Sequence, residues 1–130
     1  MDDQVRADVL SAMRDEAFAY AKYSLFAKQA QAEGRSSVAS LFQGAAQVEL
    51  HEHFAGLAET YGLGASSAEN LEEAIRGESA AIHDRYELFA ARARAAGEQA
   101  VADQFTAFDE EERAHLRSFE QALEELWVPS

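Results

Sequence analysis

The second half of the sequence repeats the first at an interval of 63. Within each copy, apolar residues recur at spacings of three and four, which is the pattern of one buried helix face. Each copy therefore predicts a hairpin of two helices, and a hairpin of this size cannot cover its own apolar face. Two such hairpins make a four-helix bundle. The matching pairs are Phe26 and Phe89, Ala27 and Ala90, Gly34 and Gly97, Val38 and Val101, Phe42 and Phe105, and Glu49 and Glu112.

Glycine and capping residues set the predicted helix boundaries. Gly34 and Gly97 offer a left-handed C-cap between the two helices of each hairpin. Ser66 and Glu69 fit a capping box that opens the third helix. We therefore predict a single all-α domain, 1–130, with hairpin repeats over about 3–61 and 67–127. The four helices are expected at about 3–33, about 36–61, from Ser66 to Gly97, and about 98–127.

The charge balance and the missing cysteines exclude several classes of protein. The 130 residues contain 11 Lys and Arg against 24 Asp and Glu, a net charge of −13, so binding to nucleic acid is not expected. Without Cys there is no thiolate metal site and no thiol nucleophile. The acidic first residues do not resemble a signal peptide, and no apolar run approaches a membrane span. We expect a cytoplasmic protein with no membrane partner.

Several acids stand on helix faces where apolar residues are expected. Glu16 lies between Met13 and Tyr20, at the spacings that place it on the buried face of the first helix. Three further positions follow the same rule. Glu78 lies between Ile75 and Ile82 in the same way. Glu49 is followed by Glu52 three residues later and by His53 four residues later. Glu112 is followed by His115 three residues later. Each helix thus directs at least one carboxylate inward.

The inward acids also fall at one predicted height. In the numbering, Glu16 precedes Gly34 by 18 and Glu78 precedes Gly97 by 19, while Glu49 and Glu112 each follow their glycine by 15. Burying these carboxylates together costs several kcal/mol each unless a cation compensates them. A carboxylate on each of two helices and a Glu-x-x-His pair on the others is the ligand pattern of dimetal bundles. The alternative is that the acids form a solvated face and bind nothing.

These motifs resemble the rubrerythrin branch of the ferritin-like superfamily over nearly the whole chain. Glu16 with Tyr23 and Phe26 is similar to the first helix of that family, and Phe42 with Glu49 to the second. The segment Ala68–Glu78 is similar to the start of the third helix, and Phe105 with Glu112 and His115 to the fourth. The resemblance implies a site of two iron ions, with manganese or a mixed metal pair as alternatives. Its implied ligands are Glu16, Glu49, Glu78, Glu112 and His115, with Glu49 and Glu112 as bridges.

Three departures from the family pattern affect the predicted chemistry. Glu52 stands where the family has a His, so either Glu52 is a ligand of a carboxylate-rich site or His53 takes its place. Oxygen-rich ligation discriminates less against Mn. Ala81 stands where rubrerythrins have a further Glu, and the Cys-rich rubredoxin segment of full rubrerythrins is absent from this sequence. Electrons would then come from Fe(II) itself or from an external donor.

Tyr23 and Tyr86 have two interpretations. Both are explained by core packing, whereas a phenol beside a metal-bound carboxylate can donate a hydrogen bond to it from the second shell. The resemblance favours the second role for Tyr23.

The connection between the hairpins predicts a domain-swapped homodimer. From Glu49 to Tyr61 and from Ser67 to Glu78 the helices rise by about 18 Å and about 16 Å. The six steps from Tyr61 to Ser67 reach at most about 22 Å. One chain therefore cannot bring its two hairpins together in a full-length bundle unless helix ends unwind. We expect each site to combine Glu16 and Glu49 of one chain with Glu78, Glu112 and His115 of another.

The predicted function is that of a non-haem diiron oxidoreductase. Two Fe(II) ions in this site can reduce O₂ or H₂O₂, so the protein would act as a ferroxidase or a peroxide scavenger. The competing hypothesis is a protein that binds or sequesters metal without turnover.

Overall fold

A computed structural model describes residues 1–127 of the chain. These residues form four helices and no β-strand, which confirms the predicted all-α class and is consistent with a ferritin-like four-helix bundle. They divide into two compact units that meet in sequence between Gly64 and Ala65. Within residues 1–127, no helix combines the length and the apolar character needed to cross a bilayer.

The first hairpin, Met1–Gly64, consists of helices α1 and α2. Helix α1 spans Asp3–Ala32, and the Asp2 side chain caps it by accepting hydrogen bonds from two backbone amides of the first turn. Helix α2 is continuous but contains a π-helical turn. Its three parts are Ser36–Val48, the first π-turn Glu49–Phe54, and Ala55–Tyr61.

The second hairpin begins at Ala65 and consists of helices α3 and α4. Helix α3 also contains a π-helical turn, and its parts are Ser67–Ala80, the second π-turn Ala81–Tyr86, and Glu87–Ala95. Helix α4 spans Gln99–Leu126 without such a turn. The helix boundaries agree with the prediction within two residues, whereas neither π-turn was predicted from the sequence. Whether 1–130 is one domain stays a prediction.

Both hairpins reverse direction through the same backbone motif. Gly34 and Gly97 adopt φ angles of 75° and 79°, in the left-handed region that favours glycine. The amide of Arg35 donates to the Ala30 carbonyl at 2.9 Å in a Schellman pattern. The second hairpin repeats this bond between the amide of Glu98 and the carbonyl of Ala93 at 2.8 Å. The glycine C-caps are therefore confirmed.

The capping box that opens α3 is also confirmed. The Ser66 side chain accepts a hydrogen bond from the Glu69 amide at 3.2 Å, and the Ser66 amide donates to the Glu69 carboxylate at 3.1 Å. The hydrogen bond with Ser66 lowers the pKa of Glu69.

A repeated aromatic cluster holds the two helices of each hairpin together. Phe42 of α2 stacks against Tyr23 of α1 at 6.0 Å between ring centroids and meets Phe26 edge-on at 5.4 Å. In the second hairpin, Phe105 contacts Tyr86 at 6.1 Å and Phe89 at 5.6 Å. Small residues let the helices approach closely around these rings. The buried apolar residues are Met13, Ala27, Ala30, Ala39 and Ala46 in the first hairpin, and Ile82, Ala90 and Ala102 in the second.

Candidate metal centre

The first hairpin gathers two carboxylates and one imidazole. Glu16 of α1 meets Glu49 and His53 of α2, and one ligand atom of each lies within 4.8 Å of the others. Nδ1 of His53 is 3.4 Å from an oxygen of Glu16 and 3.4 Å from an oxygen of Glu49. The carboxylates are 27% and 18% exposed, and the imidazole is 51% exposed. The acids are thus held against the hairpin while the imidazole borders solvent.

The second hairpin gathers the same three kinds of side chain. Glu78 of α3 meets Glu112 and His115 of α4, again with one ligand atom of each within 4.8 Å of the others. Nδ1 of His115 lies 3.2 Å from Glu112. The Glu112 side chain is 23% exposed and that of His115 is 58% exposed. Each hairpin by itself therefore presents a Glu, Glu and His cluster.

The two acids of the second cluster shift each other's pKa in opposite directions. A hydrogen bond to Glu112 raises the pKa of Glu78, as do burial and the negative charge of Glu112, while the His115 charge acts the other way. The same hydrogen bond lowers the pKa of Glu112. Burial raises this pKa, whereas the hydrogen bond with His115 and the charge of His115 lower it further. Glu78 is therefore the weaker acid of the two. A cation bound between the two acids would compete with protonation of Glu78.

The predicted ligands are mostly brought together within their own hairpins. Glu16 and Glu49 share one cluster, and Glu78, Glu112 and His115 share the other. Glu52 is exposed and lies outside the first cluster, in which the imidazole of His53 takes part. Metal binding by any of these residues stays a prediction.

Tyr23 and Tyr86 are half-buried, about two helical turns from Glu16 and Glu78. Their rings pack against Phe42 and Phe105, which accounts for their burial. No hydrogen bond from either phenol is present among residues 1–127, so a role in orienting a carboxylate stays a prediction.

Sequence reasoning missed an ion-pair chain beside the second cluster. Arg113, the neighbour of Glu112, donates from Nε to Asp109 at 3.1 Å and from Nη2 to Glu87 of α3 at 3.2 Å. The other carboxylate oxygen of Asp109 is buried without a hydrogen-bond partner among the described residues. A signal existed in the repeat, because Asp109 stands where the first copy has Ala46 and precedes Arg113 by four.

The donor set of both clusters fits a transition metal. Carboxylate oxygen and imidazole nitrogen together suit iron, manganese and zinc, and half-buried acids at this separation gain from a cation between them. The residues present therefore fit the metal that the family implies.

Comparison with known proteins agrees with this donor set. Residues 69–128 match the family model described as Rubrerythrin, which covers α3 and α4 and so includes Glu78, Glu112 and His115. No curated protein matches the chain. The family match over the second hairpin and the repeated Glu, Glu and His clusters together support a rubrerythrin-like protein of the ferritin-like kind.

Proposed function

We propose that this protein is a non-haem diiron oxidoreductase that binds Fe(II) and reduces H₂O₂ or O₂. The single observation that carries the proposal is the paired set of Glu, Glu and His clusters, one in each hairpin. One cluster lies within the rubrerythrin match, and the other reproduces its chemistry outside the match.

The proposed ligands are Glu16, Glu49 and His53 in one hairpin and Glu78, Glu112 and His115 in the other. When bound, two Fe(II) ions supply the two electrons that reduction of a peroxide requires. Carboxylates suit such a centre because each can bind through one or both oxygens. Within each hairpin the imidazole is more exposed than the acids whose exposure is given above.

The two acids of the second cluster differ in acidity. Glu78 is the acid with the raised pKa, and its carboxyl group shares a hydrogen bond with Glu112. Binding of a cation there would favour the ionised form of both acids.

For the assembly, we propose a homodimer in which the two hairpins of one chain pair with those of a second copy. Helix α2 ends at Tyr61 and α3 begins at Ser67, so the connection is as short as the sequence indicates. Six steps of chain reach at most about 22 Å. Glu49 and Glu78 lie about 18 Å and about 16 Å along their helices from that connection. Light scattering at micromolar concentration that gives the mass of a single chain, 14.3 kDa, contradicts the dimer.

The first experiment is anaerobic reconstitution with Fe(II), followed by elemental analysis and absorption spectra before and after stoichiometric H₂O₂. We expect about two irons per chain and a new ferric charge-transfer absorption after the oxidant. A chain that binds no metal under these conditions refutes the proposal. We further propose that the protein acts in the cytoplasm, where an external donor could return electrons to the centre.

Metal sequestration without turnover is the second candidate. The observation that favours it is the second π-turn, in which Ala81 stands where the family places a further Glu and supplies no carboxylate. Sequestration predicts that iron binds with the same stoichiometry but that H₂O₂ leaves the spectrum of the loaded protein unchanged.

A further inference from the structure

The repeat changes register inside helix α2. Up to Glu49, residues of the first hairpin match the second at an interval of 63. Beyond the first π-turn the half-buried positions match at 62 instead, and His53 then coincides with His115. The half-buried pairs at the new interval are Phe54 with Leu116, Leu57 with Phe119, and Tyr61 with Leu123. Helix α2 therefore contains one residue more than α4 over this stretch.

The first π-turn accommodates the additional residue. A π-helical turn closes hydrogen bonds from i to i+5, so it takes in one residue more than an α-helical turn. The fourth residue after Glu49 then points in about the direction of the third residue after Glu112, which lies in regular α-helix. Nδ1 of His53 is accordingly 3.4 Å from Glu49, and Nδ1 of His115 is 3.2 Å from Glu112.

Glu52 loses the position that its sequence spacing gives it. In an α-helix the third residue after Glu49 would share its face. In the π-turn Glu52 is exposed and takes no part in the cluster, although its carboxylate is a suitable ligand. The carboxylate of Glu52 and the imidazole of His53 therefore stand at adjacent positions, and the π-helical geometry brings the imidazole to the acids.

We propose that the first π-turn is a ligand selector, which presents the imidazole of His53 to the metal and turns the carboxylate of Glu52 away. This inference rests on the proposed metal centre and specifies its chemistry. Both hairpins then contribute two carboxylates and one imidazole. A nitrogen donor in each half shifts the preference from Mn towards metals that imidazole suits, iron among them.

The test uses Cu(II) as a probe of nitrogen ligation in the full-length chain. His115→Ala serves as the background, since it removes the nitrogen donor of the second cluster. We expect nitrogen hyperfine coupling in the electron paramagnetic resonance spectrum of this background and its loss on adding His53→Ala. The same addition should lower Cu(II) affinity by more than about tenfold, the least that loss of an outer-shell partner costs. Glu52→Gln, as the matched control, should change neither quantity.

Deletion of Glu52 tests the role of the turn itself. The deletion places His53 three residues after Glu49 and so reproduces the α-helical spacing of Glu112 and His115. In the His115→Ala background, we expect the deletion to retain nitrogen hyperfine coupling and Cu(II) affinity. Helicity by circular dichroism checks that the variant folds.

Two results overturn the inference. One is coupling that survives His53→Ala in the His115→Ala background, and the other is an affinity that falls with Glu52→Gln but not with His53→Ala. In either case metal still binds, so the proposed function stands. Failure of the unchanged chain to bind any metal refutes both.

Discussion

The two hairpins place the same three ligands together by different means. Each has a glycine turn of the same geometry, the same trio of aromatic rings and one Glu, Glu and His cluster. The additional residue, however, lies in α2 after Glu49 in the first hairpin and in α3 after Glu78 in the second. The position of the ligand atoms is thus kept while the spacing along the sequence varies.

The hairpins also differ in how they accommodate half-buried charge. The second hairpin holds Asp109 beside Arg113, and its Glu78 has a raised pKa through the hydrogen bond with Glu112. The first hairpin has the buried Ala46 at the position equivalent to Asp109. The two hairpins therefore hold the same ligand set in different surroundings, and substitutions in either hairpin can test this difference.

Removal of one acid from each hairpin should give the largest effect. If both clusters contribute to one centre, Glu49→Ala and Glu112→Ala each abolish peroxide-dependent Fe(II) oxidation, measured as the initial rate of ferric absorption. The exposed acids Glu59 and Glu111 provide the controls, and Glu59→Gln and Glu111→Gln should leave the rate unchanged. Half of the activity retained in either alanine variant would show two independent sites instead.

Substitution at the position that holds Ala46 in the first hairpin and Asp109 in the second should have the next largest effect. Ala46 is 1% exposed, and Leu50 stands where the second hairpin has Arg113, so Ala46→Asp buries an unpaired carboxylate. We expect it to lower the free energy of unfolding by about 3 kcal/mol. Asp109→Ala should change it by less than about 1 kcal/mol, because the half-exposed Arg113 keeps Glu87 as a partner.

Urea denaturation of the metal-free protein measures both free energies. Comparable losses in the two variants would mean that Asp109 contributes far more than its exposed ion pair allows. The comparison between the hairpins would then fail at this position.

Loss of the capping box should have a smaller effect that is confined to the second hairpin. Ser66→Ala removes the acceptor of the Glu69 amide, and we expect a loss of about 1 kcal/mol in the free energy of unfolding. Hydrogen exchange should show faster opening of the first turn of α3 and unchanged protection in α1. Ser67→Ala is a suitable control, and an equal loss there would argue against the cap.

The smallest expected effect concerns the pH dependence of stability. The raised pKa of Glu78 stabilises the fold below the ordinary value of 4.5, and this contribution is lost as pH rises through the raised pKa. The lowered pKa of Glu112 stabilises the fold above 4.5, and its contribution is lost as pH falls through the lowered value.

Glu78→Gln isolates the first of these two contributions. The amide donates a hydrogen bond to Glu112 at every pH, so melting temperatures of the metal-free variant should no longer decline as pH rises through the raised pKa. Proton release on metal binding, measured by calorimetry in buffers of different ionisation enthalpy, should also decrease. An unchanged pH profile would show that the two acids do not share a proton.

Much of the fold was accessible from the sequence because it rests on local signals. Gly34 and Gly97 are required by a left-handed backbone, and Ser66 with Glu69 satisfies two orphan amides at once. The clusters were also accessible, since Glu16 and Glu78 interrupt apolar stripes. The π-turns were not, because an additional residue in one turn leaves the apolar periodicity on either side intact. In the sequence, they are recorded by the unequal spacings of Glu16 and Glu78 to their turn glycines and of Glu49 and Glu112 to the following histidine.

The ion-pair chain and the exact ligand set depend on tertiary contacts. Arg113 reaches Glu87 on another helix, and no periodicity specifies such a partner. The choice between Glu52 and His53 depends on the helix type, which rests on backbone hydrogen bonds rather than on side-chain pattern.

The π-turns carry a consequence for how such a chain can arise. If the repeat reflects duplication of a gene segment for one hairpin, the two copies later came to differ by one codon in α2 and by one codon in α3. An inserted codon in a regular helix turns every following side chain away from its neighbours. A π-turn absorbs the insertion within a few residues, so the mutation leaves both the core beyond it and the ligands beside it in place.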